Sequence, residues 1–183
     1  MEIVTVSYDP TPLVDGTVDG YWCYATNQPG IVRLQGYEVG VLDPWDFGFR
    51  SYGNFAIVHS DYLEEHKDTV VKAVRETIRG WVYANANVDE VTQYTVDTYG
   101  ADLDLNLEQQ KDEANAQIAY MNSGLTADKG LFWFDKEVWQ ENVQILEDLG
   151  ELEEGDLPDA EEFTTYEILE EVYKDGKEAV YKT

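Results

Sequence analysis

Apolar positions recur at helical intervals most clearly after Ser60, where Val70, Val71, Val74, Ile78, Trp81 and Val82 mark one face of a long predicted helix. Residues 88–99 repeat the pattern around Val91, Tyr94, Thr95 and Thr98, and Gly100 stops them. Asn106 is placed to cap another helix reaching Met121, with Gln109 three residues on as its capping-box partner. Asp135 opens a helix through Leu149, closed by Gly150. Thr164 with Glu167 opens a last one, in which Ile168, Leu169, Val172 and Tyr173 can dock and which Gly176 ends.

The first sixty residues are patterned differently. Short alternating or apolar runs at 2–7, 18–25, 37–42 and 54–59 predict β-strands. Between them, Thr11 predicts an N-cap with Pro12 at the first helical position and Gly16 at the end, and Pro29 starts a second helix to Leu34. Twice, therefore, a strand end feeds a helix N-terminus, where backbone N–H groups collect, and the stretch from Asp9 to Pro29 is expected to form a pocket wall. Residues 43–49 are too turn-rich and aromatic for a regular element and predict a crossover or hinge. Residues 131–134 form an apolar patch, and the acidic run 151–162 predicts a solvated linker.

Composition narrows the chemistry. A net charge of -26, from 38 acids against 12 Lys and Arg, excludes nucleic acid and anionic lipid, which need basic patches. The acidity is read as a solubility device, compatible with a salty or extracellular medium. The single Cys23 rules out an internal disulfide and a thiol metal cluster; between Trp22 and Tyr24 in an apolar run, it is expected in the core. Neither His59 nor His66 has a visible partner for ligation or base catalysis. Asp102, Asp104, Asn106 and Glu113 mimic calcium-loop spacing, but Leu107 stands where the turn glycine is required. There is no phosphate loop, nucleophile elbow or His-Glu-x-x-His motif, so no metal, cofactor or enzymatic activity is expected. No apolar run is long enough to span a membrane, and a leader segment is expected to precede this chain in a longer parent.

What the wall can hold follows from its side chains. Trp22, Tyr24, Trp45, Phe47, Phe49 and Tyr52 offer flat stacking surfaces; Asp9, Thr11, Thr26, Asn27 and Asp46 offer hydrogen-bonding groups. Arg33 and Arg50 are the only basic residues of the first fifty, which favours a neutral or weakly basic planar ring over an anion.

Several motifs carry a family resemblance: Tyr-Asp-Pro-Thr-Pro-Leu-Val at 8–14, Gly-Thr-Val-Asp-Gly at 16–20, Thr-Asn-Gln-Pro at 26–29 and Asp-Phe-Gly at 46–48. Arg-Gly-Trp at 79–81 and Lys-Gly-Leu-Phe at 129–132 extend it to about residue 150. Over that span the chain resembles the extracytoplasmic substrate-binding proteins of ABC importers for sulfonates, nitrate, taurine and thiamine-precursor pyrimidines. The resemblance implies an α/β fold, a partial type 2 periplasmic-binding-protein fold of two three-layer α/β/α lobes that close on ligand, here with a helical carboxy-terminal portion.

On that basis residues 1–49 are the later part of the second lobe and form a cleft wall, and residues 50–150 return to the first lobe. Residues 151–183 are an acidic linker and terminal helix. The implied function is a solute-binding component handing a planar molecule, a thiamine-precursor pyrimidine above a sulfonate, taurine or nitrate, to the ABC permease. Its implied ligand residues are Asp9, Thr11, Trp22, Tyr24, Thr26, Asn27, Asp46, Phe47 and Tyr52. It also implies an extracytoplasmic, lipid-anchored parent. The family's amino-terminal half has no counterpart here, which leads to an expectation of self-association through exposed strand edges. The alternative is an acidic interaction fragment with no ligand. A related eukaryotic pyrimidine synthase uses a cysteine-rich iron site, for which this chain has no matching residues.

Overall fold

The computed structural model describes residues 2–153 and 157–182. The chain forms two compact units interleaved in sequence: Met1–Asp43 with Ala84–Tyr120, and Pro44–Tyr83 with Met121–Thr183.

The first unit holds α1 (Thr11–Val14), α2 (Gln28–Leu34), the end of α3 (Ser60–Ala86), α4 (Val88–Tyr94) and nearly all of α5 (Leu107–Met121). A π-helical turn, Thr95–Tyr99, continues α4. Glycines in left-handed geometry stop the two short helices, with φ 76° at Gly16 and 89° at Gly36, a region that costs a side chain steric strain. The start of α1 corrects the expected cap. Thr11 is the first helical residue, and the Asp9 carboxylate accepts from its N–H at 2.8 Å and its hydroxyl at 2.6 Å. Asn106 does accept from the Gln109 N–H at 3.0 Å, but the Gln109 amide reaches forward to Glu113 at 3.1 Å instead of closing a capping box.

The second unit is built on α3, whose stripe is buried as its periodicity predicts: Val71 and Ile78 pack with Leu131 and with Ile168, Leu169, Val172 and Val180 of the tail. Around it lie a 3₁₀ turn (Pro44–Phe47), α6 (Leu125–Lys129), α7 (Lys136–Asp148), α8 (Ala160–Phe163), α9 (Glu167–Val172) and α10 (Lys177–Tyr181). Burying each of these aliphatic side chains contributes about 1.5–3 kcal/mol. Polar clamps orient the tail on α3: Lys67 pairs with Glu167 at 2.6 Å, and Arg79 Nε donates to the Val180 carbonyl at 3.1 Å. Asp135 caps α7 by accepting from the Glu137 N–H at 3.0 Å, and Gly150 ends it at φ 75°, as the sequence implies.

The tail departs from expectation in two places. Part of the predicted linker is helical, because Asp159 caps α8 through the Glu161 N–H at 2.9 Å; residues 154–156 of that linker lie outside the described residues. The Glu167 N–H is met at 3.2 Å by Thr165 Oγ1, while the Thr164 hydroxyl turns back to the Ala160 carbonyl.

The largest correction concerns the α/β class. Among the described residues there is no β-strand, and the runs at 2–7, 18–25, 37–42 and 54–59 lie outside the helices with no strand ladder. Alternation states only a local preference; a strand exists once a second extended segment lies about 5 Å away to complete its hydrogen bonds. Cys23, expected in the core, is exposed, and the run around it forms no strand.

Candidate functional site

The polar centre of the first unit is Asn27, 6 % exposed, at the start of α2. Its carbonyl accepts from the Tyr8 hydroxyl at 2.6 Å and its amide donates to Glu113 of α5 at 2.5 Å. Burial, followed by the charge of Glu113, holds the Tyr8 phenol above its ordinary value. Gln28, also buried, accepts from the Tyr24 N–H at 3.2 Å. Next to Asn27, Gly30 lies so close to Asp112 that a Cβ there would collide with its carboxylate. The amino end of α2 is thus faced by two carboxylates of α5, the charge a helix N-terminus favours. The protein itself supplies what a ligand was expected to supply there.

The other expected residues of this unit stand outward. Trp22 is 79 % and Tyr24 59 % exposed, Thr26 is half-buried, and Asp9 and Thr11 are exposed and bonded to each other. The Thr11 hydroxyl and N–H hold the Asp9 carboxyl below its usual range. Sequence reasoning treated Glu113 only as a metal mimic and missed its role; the i to i+4 approach of Gln109 was the local signal, but the partner 86 residues away in Asn27 had none.

In the second unit Asp46 and Phe47 are exposed in the 3₁₀ turn, and Tyr52 is half-buried. The Tyr52 hydroxyl accepts from the Asp135 N–H at 2.7 Å, and burial raises its phenol. Its ring meets Trp45 at 6.4 Å, Phe134 at 6.4 Å and Trp139 at 6.0 Å, and Trp139 in turn meets Phe55 at 5.1 Å and Phe163 at 5.9 Å. Arg50 sits 5.8 Å over Trp45 and pairs with Glu141, its Nε at 2.9 Å, so this cation is already engaged. Trp139 and Phe163 were not foreseen as part of this cluster.

Among the described residues no group of three or more His, Cys, Asp or Glu is placed to hold a metal ion, and no helix is long and apolar enough to cross a membrane.

Each unit thus carries its own set of aromatic rings and hydrogen-bonding groups. The family model described as NMT1/THI5 like matches residues 1–91, and over that span the chain resembles this family of substrate-binding proteins, as its motifs indicated. The chain is also 29 % identical over 131 residues to a riboflavin-binding protein, RibY, of Chloroflexus aurantiacus, a match covering 69 % of this chain and 36 % of that protein. The chain thus spans about a third of the length of the curated relative it matches. No solved structure matches it. The family and this relative point to a binding protein and not to an enzyme. The family's fold is of the type 2 periplasmic-binding kind.

Proposed function

We propose that this chain is the aromatic-bearing portion of an extracytoplasmic solute-binding protein, which holds a small planar molecule and delivers it to an ABC permease. The observation that carries this reading is the outward presentation of Trp22 and Tyr24 beside the ordered polar segment Thr26, Asn27 and Gln28. Exposed rings on a backbone fixed by the Asn27 and Gln28 hydrogen bonds suit stacking on a flat heterocycle. Of the two basic residues of the first fifty, Arg50 is paired with Glu141, which disfavours sulfonate or nitrate beside Tyr52.

Asp9, Thr11, Trp22, Tyr24 and Thr26 are the contacts proposed in the first unit, with Asn27 ordering them. Asp46, Phe47 and Tyr52 are proposed contacts of the second unit. A thiamine-precursor aminopyrimidine fits the small polar set. A flavin is the second reading, favoured by the printed function of the Chloroflexus relative, and it too is a flat nitrogen heterocycle.

Calorimetric titration with an aminopyrimidine, riboflavin and taurine tests the proposal. One of the two planar ligands should bind, and Trp22→Ala should weaken it about tenfold or more by removing a stacking face. Heat with taurine alone overturns the planar-ligand reading. Heat with none of the three favours the ligand-free interaction fragment.

A further inference from the structure

Both histidines of the chain lie at the start of α3, and they bracket its first segment. His66 has φ -132° and ψ 30°, outside helical geometry, so residues 60–65 are set apart from the long run of α3 that follows. A helical segment this short is marginal by itself. Leu63 holds it against the core, and whatever satisfies its first N–H groups therefore decides much of its population.

His59 supplies that partner. Its carbonyl accepts from the Leu63 N–H at 3.0 Å, which places it at the cap of the segment, and its Nδ1 accepts from the Asp61 N–H at 3.3 Å. An imidazole nitrogen accepts only while it carries no proton, so this bond requires neutral His59 with its hydrogen on Nε2. The side chain is 76 % exposed and thus open to protons from solution. Histidine is the residue type whose charge ordinarily changes between pH 5 and 8.

Protonation reverses the contact. Nδ1 becomes a donor, the Asp61 N–H loses its acceptor, and a positive charge stands where the helix dipole disfavours it. The Asp61 carboxylate, 3.8 Å from Nδ1, faces the ring and attracts the imidazolium, but a pair this exposed adds little. His66 responds in the opposite sense: its ring lies 4.6 Å from that of Tyr62 and its Nε2 3.9 Å from Glu65, and both neighbours favour a cation. Among the described residues no charged group of another element forms an ion pair with either imidazole. Beyond His66, the Lys67 pair with Glu167 and the buried Val71 and Ile78 secure the rest of α3.

We propose that His59 is a pH-operated cap, which closes the segment 60–65 while neutral and releases its first turn as pH falls from 8 to 5, the rest of α3 staying folded. The turn follows Phe55 by a few residues. Because the Phe55 ring meets Trp139 at 5.1 Å, acid loosens the chain next to the aromatic cluster that includes Tyr52. The inference is independent of which ligand the chain binds.

The test follows the full chain without ligand by NMR at pH 8 and pH 5. Cα chemical shifts of residues 61–63 report the helix content of the turn, with residues 70–82 as the internal reference. In the parent, the ratio of closed to open turn should fall about fivefold on acidification, the usual effect of losing an N-cap. His59→Asn, whose amide oxygen accepts at either pH, should keep the turn closed at both, and His59→Ala should leave it open at both. Four results overturn the proposal: a turn in the parent that ignores pH, an equal acid loss in His59→Asn, a closed turn at pH 8 in His59→Ala, or loss at 70–82 in step with 61–63.

Discussion

Asn27 shows how one residue can be recruited by the interior in place of the surface. Its carbonyl and amide are both engaged, by Tyr8 and Glu113, and it is almost closed to solvent. Asn27→Ala would leave the Glu113 carboxylate and the Tyr8 hydroxyl short of a partner, at a cost of about 1–3 kcal/mol. Urea unfolding should show a lowered midpoint with unchanged slope; a midpoint equal to that of the parent would mean that water replaces Asn27 without loss. If Asn27 orders the segment from Thr26 to Gln28, the same substitution weakens planar-ligand binding without touching an aromatic ring.

Elements succeed here by lending side chains to each other's backbone. Residues 131–135 are irregular, yet Leu131 is buried in the core with Phe132, Trp133 and Phe134 packed against it, and tyrosines of the tail meet their polar groups. The Tyr173 hydroxyl donates to the Leu131 carbonyl at 2.8 Å, Tyr166 donates to the Phe134 carbonyl at 3.0 Å, and the Tyr181 hydroxyl accepts from the Leu131 N–H at 2.8 Å. A buried backbone group left unmet would be costly, so α9 and α10 complete the segment as well as covering it.

Burial, then the neighbouring Tyr181, pushes the Tyr173 phenol far above its ordinary value. A raised native pKa stabilises the fold fully below the unfolded value of about 10, and that stability is lost as pH rises beyond it. Tyr173→Phe should therefore cost about 1 kcal/mol near neutral pH by deleting the hydrogen bond. Above about pH 10 the variant, lacking that titration, should fall less steeply than the parent. Denaturation curves at neutral and alkaline pH check this, and a gap that widens with pH would contradict it.

For the whole molecule the governing quantity is charge. With 38 acids and 12 Lys and Arg, the compact state repels itself, and ion pairs such as Lys111 with Asp89 at 3.0 Å relieve little of it at the surface. Salt screens such repulsion, with a Debye length falling from about 10 Å at 0.1 M to about 3 Å at 1 M. The thermal midpoint, read by far-UV circular dichroism, should accordingly rise by several degrees from low to molar NaCl. A flat or falling midpoint would show that self-repulsion is not what limits this fold.

Helices were legible because their signals are local. The stripe of α3, the Asp135 cap of α7 and the glycines at 16 and 150 each act within a few residues, and each is where the pattern put it. The exposed aromatic pair, Trp22 and Tyr24, was legible as chemistry from residue type alone. What only the tertiary structure decided was every outcome that depends on a distant partner. Whether an alternating run becomes a strand, whether the start of α2 meets a ligand or the carboxylates of α5, and which hydroxyl completes the backbone at Leu131 all rest on residues far along the chain. Local patterning sets what a segment can form, and hydrogen bonds and burial supplied from elsewhere determine which of those forms it takes.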